Sequence, residues 1–379
     1  MAFSFLNPID EEILHQIEML PELALGRSVL KHSKNNFPDL SNVKIAIVGV
    51  MDARGLQKKS QEYTINHIRL AFYNLFPGNW DSNIADLGDV PVGENVSDTY
   101  YVLQKAVTAL LHKNIVPIIL GGSQDHVYPL YRAFDPEKTL VNYVAIDAKL
   151  DFKGLYKSPA DSYVTQMILE EPSNLYNYAN IGYQTFLNAQ DEINFVESLS
   201  FDAFRLGEIT AKLHLAEPII REANLVSIDM LSVKSASSGN FSEFVPNGFD
   251  GKEICTLARY AGISESVSCF GVFNQQGSKS EAVLISQIIW YFIEGLQYRV
   301  YERVSVDDIN FKKFIVPLRD IELVFYNSII TNRWWIEMNS DASTNAGQLV
   351  IPCAAEDYEN ARAGEIPERW WKLLKKSLL

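Results

Sequence analysis

The chain has 379 residues, 47% of them hydrophobic and 21% charged, which suits a soluble globular protein with one large α/β domain and an added segment. Its formal net charge of −14 argues against nucleic acid or an anionic membrane surface as a partner, because both attract a basic face. Cys255, Cys269 and Cys353 share no CxxC or other metal spacing and read as buried, reduced thiols.

The stretch from Met1 to Leu20 carries acidic residues where a signal peptide needs basic ones, and no apolar run is long enough to span a bilayer. The expectation is a cytoplasmic protein. Residues 1–42 read as a helical lead-in. Short apolar, β-branched runs follow at Lys44–Val50, Val116–Leu120, Asn142–Asp147, Leu225–Asp229 and Val267–Val272. Runs of this length without alternation suit strands buried on both faces, as in a parallel sheet. Thr99–Lys113 and Glu281–Leu296 carry apolar residues at helical spacing. Alternating strands and helices predict a three-layer α/β/α domain over residues 43–300, with its chemistry at the carboxyl ends of the strands. Residues 301–379 form a C-terminal extension with strand-like pieces at Phe311–Pro317 and Ile321–Tyr326. Two arginine–tryptophan groups, Arg333-Trp334-Trp335 and Arg369-Trp370-Trp371, suit cation–π packing. The extension either folds back to cap the main domain or presents a partner-binding surface.

Three strand ends carry unusual polar clusters: Gly121-Gly122-Ser123-Gln124-Asp125-His126, Asp147-Ala148-Lys149-Leu150-Asp151, and Asp229-Met230-Leu231-Ser232. Aspartates brought to one crevice repel unless each finds a cation, a proton or hydrogen-bond donors. A bound metal, the nearby Lys149, or separate helix-capping roles each meet that need.

These clusters resemble the ureohydrolase family of arginase, agmatinase and formimidoylglutamase, whose signatures are GGDH or GGGH, then DAHxD, then SxDxD. Gly121–Gln124 stands for the first, Asp147–Asp151 for the second and Ser227–Leu231 for the third. Ile84–Val90, Asn180–Gln184 and Pro246–Glu253 are similar to flanking family segments, the second to the formimidoylglutamase branch. The resemblance spans residues 43–296. It implies an arginase-like fold and, as the family tends, homo-oligomers such as trimers or hexamers.

In such proteins two manganese ions share a hydroxide that attacks a guanidinium or formimino carbon. Carried over residue by residue, the resemblance gives Asp147, Asp151 and Asp229 at ligand positions. Gln124, Lys149 and Leu231 stand where the signatures have His, His and Asp. One metal position keeps three carboxylates plus Gln124, a hard oxygen set suited to one divalent cation, Mg²⁺, Ca²⁺ or Mn²⁺. The other keeps only Asp147 and Asp229. Lys149 reads as a cation replacing a metal's charge, bonded among the three aspartates. His126, two residues past Gln124, is expected to point away, and Glu253 corresponds to a substrate-side glutamate. Two functions follow: a degenerate ureohydrolase that binds a small molecule or a protein, which is favoured, or an active C–N hydrolase acting on formimidoylglutamate or a related linear amidine.

Overall fold

The computed structural model describes residues 2–56, 65–79, 83–137, 139–154, 158–305, 308–318, 321–338 and 349–377. Nine strands form one parallel sheet among these residues: β1 (Leu30–Lys31), β2 (Ile45–Val50), β3 (Ile84–Val90), β4 (Val116–Leu120), β5 (Val141–Ile146), β6 (Leu175–Tyr183), β7 (Asp202–Arg205), β8 (Leu225–Asp229) and β9 (Cys269–Phe273). Their order across the sheet is β1-β3-β2-β4-β9-β8-β5-β6-β7.

The uninterrupted apolar runs have a direct physical cause. Successive side chains of a strand leave opposite faces, so a strand covered on both sides needs apolar residues at every position. On β2, Ile45 and Ile47 enter one core, while Ala46, Val48 and Val50 enter the other. The first core lies under the helices Asn66–Tyr73, Gly251–Ile263 and Lys279–Gln297, and the second under Val96–Leu111, Val127–Arg132 and Tyr163–Leu169. Each fully buried Val, Leu or Ile contributes about 1.5–3 kcal/mol. Gly262 and Gly295 let two of these helices touch backbone to backbone, since a Cβ on Gly262 would meet Phe292 O at 2.2 Å.

The lead-in holds the helix Glu11–Ile17, and it also supplies edge strand β1 beside β3, which its composition did not reveal. The extension forms an antiparallel sheet of β10 (Phe311–Leu318), β11 (Ile321–Ser328), β12 (Trp334–Met338) and β13 (Leu349–Cys353). The helices Ala355–Arg362 and Glu368–Ser377 accompany this sheet, which has its own core including Phe325, Ile336 and Trp370.

The arginine–tryptophan groups pack differently from their sequence pairing. Arg221 of the main domain lies over the Trp335 ring, 4.6 Å from its centroid, and donates to Trp334 O and Cys353 O at 3.2 and 3.3 Å. Arg333 turns instead to Glu217, at 3.3 Å, and Arg369 to Glu222. A carboxylate attracts a guanidinium more strongly than a ring face does, so arginines within reach of Glu217 and Glu222 take the acids. No helix among the described residues is long and apolar enough to cross a membrane.

Candidate functional site

Strands β4, β9, β8 and β5 lie side by side, so their carboxyl ends deliver the Gly121, Asn274, Asp229 and Asp147 turns to one crevice. Strand order departs from chain order at this point, which is where α/β sheets open a binding site. After β4, Gly121 (φ +90°) and Gly122 (φ +77°) turn the chain sharply, and a Cβ on Gly121 would come within 2.5 Å of Val50 O. Only glycine adopts such a turn without strain.

Gln124 follows, fully buried. Its amide Nε2 donates to Ser227 Oγ at 3.0 Å, and that hydroxyl lies 2.7 Å from Tyr143 OH, itself 2.8 Å from Tyr163 OH. With the amide nitrogen fixed, Gln124 Oε1 is left buried without a donor. His126 faces other partners than Asp147, Asp151 and Asp229: its Nδ1 lies 2.9 Å from Ser123 O and 3.8 Å from Asp125 Oδ2, and its ring makes a T-shaped contact with Tyr100.

The β5 turn is laced to its neighbour. Asn180 Nδ2 donates to Lys149 O at 2.6 Å, and Asn188 Oδ1 accepts from Leu150 N at 2.8 Å. Asp147 Oδ1 accepts from Lys149 N at 2.9 Å, while its buried Oδ2 has no donor. Asp151 is also buried, in the left-handed region at φ +57°. Asp229 Oδ1 accepts from Leu231 N at 2.7 Å and Oδ2 from Asn274 Nδ2 at 2.8 Å. Asn274, at φ +56°, is a hub: its Oδ1 also accepts from Gln124 N at 3.1 Å and its own N–H donates to Gly122 O at 2.9 Å.

The electrostatics follow from this crowding. Burial, then the charges of Asp229 and Asp151, push the Asp147 carboxyl well above the usual range. Burial and then Asp229 push Asp151 up to about 8, with Lys149 opposing. Lys149 does not bond among the three aspartates as its sequence position implies. Its ammonium lies 3.4 Å from Asp161 Oδ1, and the side chain is 41% exposed. Burial would lower its pKa, but Asp161 first and the three aspartates next outweigh this and raise it. The physical reason for the position is hydration: a half-exposed ammonium keeps water around it, and protonated neighbours such as Asp151 attract it less. Lys153 joins from the other side, 3.2 Å from Asp161 Oδ2.

These side chains open into a cavity of about 360 Å³ whose lining includes Asp147, Lys149, Asp229, Leu231, Phe186 and Phe244. Glu253 is not on this lining. It sits in the first turn of the helix Gly251–Ile263, where its Oε2 accepts from Asp250 N at 2.8 Å, and lines an adjoining cleft with Arg205 and Lys234. Gln184 and Asn247 line both cavities. Sequence reasoning missed Asn274, Asp161 and the Gln184–Asn247 pair. The polar run Asn274-Gln275-Gln276-Gly277-Ser278 directly after a strand was the available signal for the first. No group of three or more His, Cys, Asp or Glu among the described residues is arranged to hold a metal ion.

The comparisons agree with this architecture. A formimidoylglutamase from a Geobacillus species is 22% identical over 257 residues, covering 62% of this chain and 78% of that protein. Trypanosoma cruzi formiminoglutamase with Mn²⁺ superposes with a TM-score of 0.64 at 16% identity, over 73% of this chain and 99% of that one. The Bacillus subtilis formimidoylglutamase gives 0.62 at 15% identity, over 72% and 97%. Residues 43–270 match the model of the arginase family, and the chain belongs to that family.

Proposed function

We propose that this protein has lost the two-manganese hydrolytic centre and acts by binding a ligand or a partner at the same crevice. The observation that carries the reading is Leu231. Its isobutyl group lines the cavity where the family signature has an aspartate, and its N–H occupies one Asp229 oxygen while Asn274 occupies the other. With Lys149 in a histidine's place, the residues present do not fit a second metal position. A bridging hydroxide needs both metals.

The rival reading is a working hydrolase of linear amidines such as formimidoylglutamate. Gln124 Oε1 and Asp147 Oδ2, buried and without donors, favour it as oxygen ligands for one divalent cation, Mg²⁺, Ca²⁺ or Mn²⁺. Buried, unpaired Cys255, Cys269 and Cys353 support a reducing, cytoplasmic setting. Two measurements test the proposal. Crystals soaked in Mn²⁺ are expected to lack a pair of anomalous peaks roughly 3.5 Å apart. Formimidoylglutamate, arginine and agmatine are expected to stay at background, and Mn²⁺-dependent turnover above about 1 s⁻¹ makes the rival correct.

A further inference from the structure

We infer that the crevice is a docking pocket for a partner protein that inserts an arginine or lysine side chain flanked by large apolar residues. The inference rests on the binding reading above and names the occupant. Three features of the mouth carry it: an acidic floor, an apolar wall, and an exposed aromatic rim on a rigid frame.

The floor holds the buried carboxyl groups of Asp147 and Asp229, with Asp151 beside Asp147, and a cationic head placed there relieves their crowding. The one ammonium on the lining among the described residues, Lys149, is held toward Asp161. The same lining carries the apolar side chains of Leu231, Val245 and Pro246. An arginine or lysine matches that sequence of surfaces, with a methylene stem against apolar groups and a charged head at the acids.

The rim extends beyond the cavity. Phe186 is 75% exposed and Phe244 66%, and both line the mouth; Phe241, on the same loop as Phe244, is 69% exposed. This exposure is built into ordered loops. Gln184 Nε2 donates to Asn247 O at 3.0 Å and Asn247 Nδ2 returns a bond to Gln184 Oε1 at 3.2 Å, tying the Phe186 loop to the Phe244 loop. Asn240 Oδ1 accepts from Ser242 N and Oγ at 3.1 and 2.8 Å, and Ser235 and Val245 exchange two bonds of 2.8 Å. A small molecule filling the cavity would leave these rings mostly in water. A polypeptide covers them, and clustered exposed aromatics around a charged pocket are the composition of interface hot spots. A net charge of −14 steers a basic partner toward the chain.

The test is selection of a random twelve-residue peptide library on the full chain, followed by binding of one recovered peptide measured by fluorescence polarisation. Recovered peptides are expected to converge on an Arg or Lys beside large apolar residues. Replacing that basic residue by neutral norleucine is expected to weaken binding by about tenfold or more, as are Phe186→Ser and Phe244→Ser, whose exposed positions leave the melting temperature unchanged. A library without binders, binders without a basic residue, or affinity that survives both serine variants overturns the inference. So does 4-phenylbutylamine binding as tightly as the peptide, which makes the occupant a small cation. A dimer in sedimentation that Phe244→Ser dissociates makes it a second copy of the chain, and overturns it too. Mn²⁺-dependent hydrolysis of formimidoylglutamate overturns the binding reading itself. Absent peptide binding with background hydrolysis sinks the docking inference alone.

Discussion

Lys149 reaches past the three aspartates of its own crevice to Asp161, 3.4 Å away, a carboxylate it shares with Lys153, rather than filling a metal's place at the centre. Lys149→Ala is therefore expected to cost about 1 kcal/mol or less, the range of half-exposed ion pairs, and Mg²⁺ is expected to stabilise the variant more than the wild type. Thermal-shift titration of both proteins measures this. A loss near 3–5 kcal/mol indicates instead that the ammonium compensates the buried carboxylates directly.

Asp151 gives the crevice a pH signature. Its pKa is raised by burial and then by Asp229, Asp161 also raising it and Lys149 opposing, so the folded chain holds a proton that the unfolded chain releases near pH 4. Stability from this group is present at low pH and is lost as pH rises toward about 8. Asp151→Asn removes the dependence, and asparagine tolerates the φ of +57°. The variant is expected to melt higher than wild type at pH 8 and to show a flatter profile from pH 5 upward. Equal melting curves at pH 8 contradict the assignment.

The seam between the two sheets depends on Arg221. Its guanidinium is buried, stacks on Trp335 and pairs with Glu217 at 3.1 Å. Arg221→Ala is expected to cost about 3 kcal/mol, less than the loss of an isolated buried pair because Arg333 still faces Glu217. A double-mutant cycle with Trp335→Ala is expected to give a coupling of about 1–2 kcal/mol by urea denaturation. Additive effects mean that the stacking contributes nothing.

Restoring the signature is the direct test of the lost centre. The triple variant Gln124→His, Lys149→His, Leu231→Asp is expected to take up about two Mn²⁺ per chain, the number a bridging hydroxide requires, against at most one for wild type. Elemental analysis after gel filtration decides. A wild-type stoichiometry of two sinks the proposal of loss.

The parts of the fold that sequence exposes are those with local causes. Val116–Leu120 and Leu225–Asp229 are buried on both faces, so every residue records its environment, and the aspartates at their ends stand out against that background. Long-range partners leave no such trace. Lys149 and Arg333 each had a chemically reasonable neighbour in sequence, yet Asp161 and Glu217 lie closer in space. Asn274 shows in sequence only as the head of a polar run after β9: its role rests on a left-handed backbone and on three bonds, two to the turn after β4 and one to Asp229. Strands β12 and β13 are defined by their pairing within the folded extension, which no local pattern records.

Open sheets invite further strands to add at their margins, a route to amyloid-like growth. Here both margins are attended by the chain itself. On one side β1 pairs with β3, and Asn7 bridges Asp89 on the same strand. On the other, Lys372 of the last helix reaches Asp202 of β7 at 3.3 Å. A two-residue edge strand on one flank and a lysine beside the edge strand on the other are both devices that discourage edge-to-edge pairing.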